Sequence, residues 1–159
     1  MYDVTFYFAH HYLEKGDRTI DQMVQAARSG KQNIAEGAAA GNTSKETEIK
    51  LTNVAKASLQ ELLVDYEDFL RVRGLEQWQP DDARLAQTKR ACAAHNDSEY
   101  YRKAMPERSA ETIANIAITL IHQTDWLLNK LIEKLEIQFV ENGGVKEQMT
   151  KVRKEYRGY

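Results

Sequence analysis

The stretch that decides the fold class is residues 51–69, which read LTNVAKASLQELLVDYEDF. Its apolar and small residues recur at steps of three and four, the spacing of one face of an α-helix and of a heptad-like seam. Ahead of it, Thr43-Ser-Lys-Glu46 has the pattern of a capping box, and Gly74 follows as a terminator. The sequence therefore predicts a long helix over about 43–74. The seam consists of Leu51, Ala55, Ser58, Leu62, Tyr66 and Phe69.

Two more helices are predicted on the N-terminal side. The first covers about Tyr2 to Lys15 and ends at Gly16. Its aromatic residues also suit a strand, and helix is favoured because the neighbouring segments are helical. The second opens at Asp17, a residue type that caps helix N-termini, and stops at Gly41-Asn42. Its helical spacing is carried by Ile20, Met23, Val24, Ala27, Gly30, Lys31 and Ile34.

The last long helix is predicted from about Ser109 to Gly143-Gly144. Its apolar stripe is broader than a seam between two helices requires, which favours burial against several neighbours, including another subunit. The seam is formed by Ile113, Ile116, Leu120, Thr124, Leu127, Leu131 and Leu135, and it is widened by Leu128, Ile132 and Phe139.

Residues 75–108 differ from the long helices because they hold both prolines and many charges. Asp81-Asp82 after Pro80 starts a shorter predicted helix that ends near 95–97. Four striped helices joined by mostly short links predict an all-α, antiparallel up-down four-helix bundle over residues 1–144, with residues 75–108 as a peripheral helical insertion. Residues 145–159 are expected to be a basic tail that is frayed or loosely helical.

Composition narrows the functional classes. The 159 residues carry a formal net charge of −2, so the overall basic charge of a typical nucleic-acid-binding domain is absent. The single cysteine, Cys92, suits a reducing compartment and leaves no internal disulfide. No apolar run approaches the length of a membrane span, and the start does not resemble a signal peptide. These features predict a cytoplasmic protein without membrane contact.

Three stretches resemble one known family. They are residues 25–37 (QAARSGKQNIAEG), Ser44-Lys-Glu, and residues 55–62 (AKASLQEL). The pattern resembles the four helix bundle protein family, first noticed as products of intervening sequences in bacterial large-subunit ribosomal RNA genes. The stretch Asn33-Ile-Ala-Glu-Gly37 is its most specific element. The amino-acid sequence of the first two helices and the extra segment before the last helix most resemble the group called the four helix bundle suffix domain.

The resemblance implies an up-down bundle that forms a ring-shaped homopentamer in several relatives. It also implies a mostly unknown biochemical function. One branch of relatives is a basic accessory protein of the reverse transcriptase of diversity-generating retroelements and binds nucleic acid around the ring. The acidic composition of the present chain argues against a simple transfer of that role.

Polar residues inside the family-like pattern form the first candidate site. One interpretation is that Glu36 and Glu61 form a ligand-binding or catalytic pair of carboxylates close to Arg28. The structural interpretation, a satisfied network that fixes the register of two helices, is preferred because buried polar groups need partners in any case. The predicted structural polar network is Arg28, Asn33, Glu36, Ser58 and Glu61.

Catalytic and metal-binding motifs are not found in the sequence. The histidines are His10, His11, His95 and His122, and none belongs to the Glu-x-x-His pattern of di-iron bundles. Cys92 lies among alanines and has no Cys-x-x-Cys partner. Phosphate-loop, dinucleotide and nucleophile-elbow motifs are missing as well. The sequence predicts a non-enzymatic protein without metal or cofactor.

The tail carries the only basic cluster. Its cations are interleaved with Tyr156 and Tyr159, a combination that suits phosphate contacts and base stacking, although a solvated tail has the same composition. The preferred function is a homo-oligomeric scaffold or accessory module with an unidentified protein partner, and the alternative is a nucleic-acid-binding accessory protein. The candidate nucleic-acid contacts are Lys146, Lys151, Arg153, Lys154 and Arg157.

Overall fold

The computed structural model describes residues 1–158, apart from the side chain of Asn142. Within this range every regular element is a helix and there is no strand, which confirms the all-α prediction. No helix in it is long and apolar enough to cross a membrane. The elements are α1 (Tyr2–Tyr12), α2 (Arg18–Ala40), α3 (Lys45–Val72), α4 (Ala83–Ala94), α5 (Ser98–Ala104), a 3₁₀ turn (Met105–Glu107), α6 (Ala110–Asn142) and α7 (Val145–Arg157).

Side-chain caps set the beginnings of the long helices. The Asp17 carboxylate accepts a hydrogen bond of 2.8 Å from the backbone N–H of Thr19, as the sequence predicted. The cap of α3 is Ser44 rather than Thr43, and its hydroxyl accepts from the N–H of Thr47. The cap shifts by one residue because the Thr43 hydroxyl turns back and donates to the carbonyl of Ala40.

Helices α2 and α3 lie antiparallel and unusually close together. A Cβ on Gly30 would stand 3.1 Å from Cδ2 of Leu59, and one on Gly37 would stand 3.3 Å from Cβ of Leu51. The residue numbers fall along α3 as they rise along α2, as the short link at residues 41–44 requires. Two glycines on one face of α2 therefore let the backbones approach, which explains why small residues occupy that face.

The other helix–helix contacts arrange α1, α2, α3 and α6 in a cycle, in which each helix packs on the next. Helix α3 packs on α6, and α1 packs on both α2 and α6. The side chain of Phe8 in α1 contacts Tyr66 and Phe69 of α3, with ring centroids 4.9 and 4.6 Å apart. The buried Tyr66 hydroxyl donates to the Thr5 hydroxyl at 3.0 Å. Burial raises the pKa of Tyr66, so this phenol remains a hydrogen-bond donor in the core.

The insertion is helical, as predicted, but it is not peripheral. Residues 113–119 of α6 are seven consecutive buried positions, which a single neighbouring helix does not produce. Helices α1 and α3 cover one side of this segment, and α4 contacts it as well. Trp78, Cys92, Tyr101 and Met105 of the insertion are all buried. The prediction failed because α4 shows only a small apolar face in isolation, and α5 is too short to show any periodicity.

The predicted seam of α6 is also corrected in part. Leu127 is largely exposed, whereas the buried line along α6 runs through Ala117, Ile121, Leu128 and Leu135. Leu127 lies about 80–120° away from this line on a helix of about 3.6 residues per turn, whereas Leu135 belongs to both the predicted seam and the buried line. The predicted loose tail is the well-formed helix α7.

Candidate interaction surface

The second half of α6 leaves large apolar side chains uncovered. This helix has 33 residues, three times the 11 residues of α1. Among the described residues, the hydrogen bond from α6 to the insertion that lies furthest along α6 is the one that the side-chain amide of Gln123 donates to the carbonyl of Lys89. Beyond that point four large apolar side chains of α6 are exposed, in two pairs separated by the ion-paired Lys130 and Glu133. The exposed fractions are 61% for Trp126, 59% for Leu127, 59% for Ile137 and 82% for Val140. We call these four residues the outward face of α6.

Helix α7 carries a second uncovered stripe. The chain turns at Gly143, whose φ of +70° favours glycine, and the N–H of Gly144 donates to the carboxylate of Glu147 at 2.8 Å. None of the residues of α7 is buried. At 100° per residue its apolar side chains fall within a sector of about 60°, which makes the helix amphipathic. This α7 stripe consists of Val145, Met149, Val152 and Tyr156.

The predicted nucleic-acid contacts all lie on α7 and are all exposed. Lys146, Arg153 and Arg157 follow one another at steps of seven and four, so they form a line along one flank of the apolar stripe. Lys151 and Lys154 point to other sides of the helix. Tyr159, the second tyrosine of the predicted cluster, lies outside the described residues.

The predicted polar network is smaller than expected. Ser58 and Asn33 come together through Ser29: its hydroxyl lies 2.8 Å from the Ser58 hydroxyl and accepts from the Asn33 amide at 3.2 Å. These three residues tie α2 to α3 beside Gly30. The other predicted members are exposed and take part in no ion pair or hydrogen bond of the described chain; they are Arg28, Glu36 and Glu61.

The outward position of these three charges has a simple cause. Each lies beside a small or apolar residue that faces the neighbouring helix, and one helical step of about 100° takes its side chain out of the contact. Removing an unpaired charge from water is expensive, so the long side chains stay solvated. Glu36 and Glu61 therefore do not form the carboxylate pair of the alternative interpretation.

A second polar cluster joins α3 to α6 and was missed. The Lys56 ammonium donates to the side-chain carbonyl of Asn129, whose amide donates to Asp125 at 3.0 Å. The other Asp125 oxygen is buried and has no hydrogen-bond partner among the described residues. The signal in the sequence was a pair of polar residues, four positions apart, within the widest apolar stretch of α6.

The histidines and the cysteine lie in ordinary structural surroundings. His10 and His11 each place Nδ1 2.8 Å from a backbone carbonyl one turn earlier, and His95 stacks on Tyr100 with ring centroids 3.7 Å apart. Burial raises the pKa of the Cys92 thiol, which disfavours the reactive thiolate. Across residues 1–158, apart from the Asn142 side chain, no group of three or more His, Cys, Asp or Glu side chains is placed to hold a metal ion.

The chain was compared with protein-family models, curated proteins and solved structures, and none of them matches. The surfaces described above therefore rest on the geometry of this chain alone. They comprise two uncovered apolar stripes on consecutive helices, with a line of cations beside the second.

Proposed function

We propose that this protein is a non-enzymatic, self-associating helical module of the cytoplasm that scaffolds or accompanies another macromolecule. The observation that carries the proposal is the exposed outward face of α6, followed by helix α7, in which no described residue is buried. Exposed apolar patches are typical of protein–protein interfaces, and on α6 the ion pair of Lys130 and Glu133 divides this patch into two parts. A second copy of the chain is the occupant that the family resemblance favours, in a ring of five.

The proposal includes an antiparallel four-helix arrangement of α1, α2, α3 and α6. It is supported by the cyclic order of contacts, in which each of these helices packs on two others of the set. The short α1 faces only the first half of α6, so the arrangement is complete at one end and open at the other. The open end is where the outward face of α6 and α7 lie, and we assign self-association to it.

Sedimentation velocity at micromolar protein concentration tests this assignment. Wild type should sediment as an oligomer, and Val140→Lys should shift it towards monomer. Full burial of a valine contributes roughly 1.5–3 kcal/mol, so about a tenfold or greater increase in the dissociation constant is expected for each interface. Val72→Lys is the matched control, since Val72 is 70% exposed at the end of α3. A monomeric wild type, or equal effects of the two substitutions, would contradict the proposal.

Nucleic-acid binding is the second candidate, favoured by the line of Lys146, Arg153 and Arg157 along α7. Each phosphate neutralised adds a salt-dependent contribution to affinity, and a ring of copies would multiply it by avidity. Fluorescence anisotropy with single-stranded RNA and DNA at low salt tests it. The double variant Arg153→Gln/Arg157→Gln should lower the slope of log K against log salt by about two per chain. A double variant of two exposed arginines in the insertion, Arg90→Gln/Arg102→Gln, should bind as wild type does; equal losses would mean that only overall charge matters.

A further inference from the structure

A cleft of about 870 Å³ lies between α4, residues 77–80 and the outer side of α6. Its volume falls within the roughly 300–1,000 Å³ that is typical of small-molecule sites. Both tryptophans of the protein line it, Trp78 and Trp126. The other lining residues that matter here are Leu85, Lys89, Ala93 and Ile118.

The wall formed by residues 76–78 is held in place by the chain itself. The side-chain carbonyl of Asn115 accepts from the N–H of Trp78, and its amide donates to the carbonyls of Glu76 and Glu111, each at 2.9 Å. The Asn115 amide group is thereby saturated within the protein. The cleft is pre-formed, and a ligand would not have to order this wall.

The side chains that line the cleft carry formal charge of one sign. Among the described residues no aspartate or glutamate lines it, and its basic side chains are Lys89, which is formally charged, and the titratable His122. The Lys89 ammonium makes no ion pair with any described residue, whereas the neighbouring cation Arg84 is paired with Glu76 and Asp82. An unpaired cation beside an apolar surface is complementary to an anion attached to an apolar body.

Trp78 adds an independent indication. Its side chain is nine-tenths buried, with 8% of the residue exposed, and its indole N–H is enclosed without an acceptor in the described structure. Buried N–H groups are nearly always hydrogen-bonded, so an unpaired one needs an explanation. The Arg84 guanidinium lies over the indole, 5.1 Å from the ring centroid, so this N–H reaches a ligand oxygen only if the side chain rotates towards the cleft.

We propose that the cleft binds a small amphipathic organic carboxylate. Its aliphatic or aromatic body would lie against Trp78, Ile118 and Trp126, and its carboxylate would accept hydrogen bonds from Lys89 and from the turned Trp78 indole. Helix α7 of a second copy is disfavoured as the occupant because its net charge of +3, five cations against two glutamates, would be repelled by Lys89.

Intrinsic fluorescence is a direct assay, because both tryptophans line the cleft. Decanoate, titrated below its micelle concentration, should change the emission saturably, and Trp126→Phe should retain the part of the signal that comes from Trp78. Uncharged 1-decanol should bind more weakly. A linear, non-saturating response to both probes would overturn the proposal.

Two pairs of variants locate the ligand. Lys89→Met should weaken decanoate binding by about tenfold and leave 1-decanol unaffected, while Arg90→Met, the same charge change one residue along, should do neither. Ala93→Phe should abolish binding of both probes by filling the cleft, and Ala94→Phe, which is exposed outside it, should not. All four positions are exposed, so the fold should tolerate them; equal losses within either pair would refute the site.

The inference does not depend on self-association. Trp126 and Leu127 belong both to the cleft and to the outward face of α6, so the titration is repeated in the Val140→Lys variant, whose substituted residue does not line the cleft. Saturable binding there, with the same response to Lys89→Met, supports the ligand site whatever the oligomeric state. Loss of binding only on dissociation would assign the signal to the subunit interface and contradict the proposal.

Discussion

Replacement of Phe8 by alanine should undock α1 and test whether this short helix is held by aromatic packing on α3. Phe8 is fully buried, with 0% of the residue exposed, and its ring contacts Tyr66 and Phe69. The matched control is Phe6→Ala in the same helix. Phe6 is 46% exposed and contacts mainly Tyr2 and His10, both also in α1.

The magnitude follows from the two environments. A buried phenylalanine replaced by alanine costs about 3–5 kcal/mol, because apolar contact is lost and a cavity remains. The total stability of a domain is about 5–15 kcal/mol, so this is a large fraction of it. At about 2–4 °C per kcal/mol for a chain of this size, the midpoint of thermal unfolding should fall by roughly 6–20 °C. Phe6→Ala removes a half-exposed ring and should cost less than about 1 kcal/mol.

Urea unfolding followed by circular dichroism measures both free energies under the same conditions. Because α1 covers the first half of α6, Phe8→Ala should also increase the binding of a hydrophobic dye to the folded protein, and Phe6→Ala should not. Equal destabilisation by the two substitutions would refute the reasoning. So would a loss below about 1 kcal/mol for Phe8→Ala, which would mean that α1 does not rest on α3 in solution.

Two further predictions concern the caps and the helix–helix contacts. Hydrogen bonds from Thr19 lower the pKa of the Asp17 carboxyl below its unfolded value. The contribution of this carboxylate to the free energy of unfolding is therefore present above the unfolded pKa and is lost as pH falls through the folded pKa. Asp17→Asn, which keeps a capping oxygen, should reduce this loss of stability at acid pH in a series of unfolding curves measured against pH. Ser58→Ala should cost about 1 kcal/mol by urea unfolding through its bond to Ser29, and a double-mutant cycle with Ser29→Ala should show a coupling of at least about 0.5 kcal/mol.

The sequence located the long helices well because their ends carry side-chain chemistry. Asp17 and Ser109 act as caps where the pattern placed them, and Gly74 and Gly143 follow the ends of α3 and α6 with positive φ. Helix α5 was not predicted, because its seven residues are too few to show a period. It is stabilised from outside the helix: Tyr101 is buried in the core, and its hydroxyl donates to the carbonyl of His95, six residues earlier, at 2.8 Å.

The candidate sites were less accessible to sequence reasoning. Arg28, Glu36 and Glu61 belong to the most recognisable stretches of the chain, yet one helical step places each of them in solvent. The cleft depends on where residues 77–80 lie against α6, and that position is fixed by Asn115, nearly forty residues away in sequence. Periodicity describes a single helix, whereas both features depend on the rotation and the spacing of several helices.

One property of α6 links the interface and the ligand site. The helix is apolar around more than one face along most of its length, so each part of it needs cover from more than one side. In the first half α1, α3 and the insertion supply that cover, and seven consecutive residues are buried as a result. In the second half the chain supplies less, and Trp126 stands at the boundary, on the rim of the cleft and at the start of the outward face. A ligand in the cleft would therefore touch the edge of the surface that we assign to self-association, and any effect of decanoate on the sedimentation of wild type should be weakened by Lys89→Met.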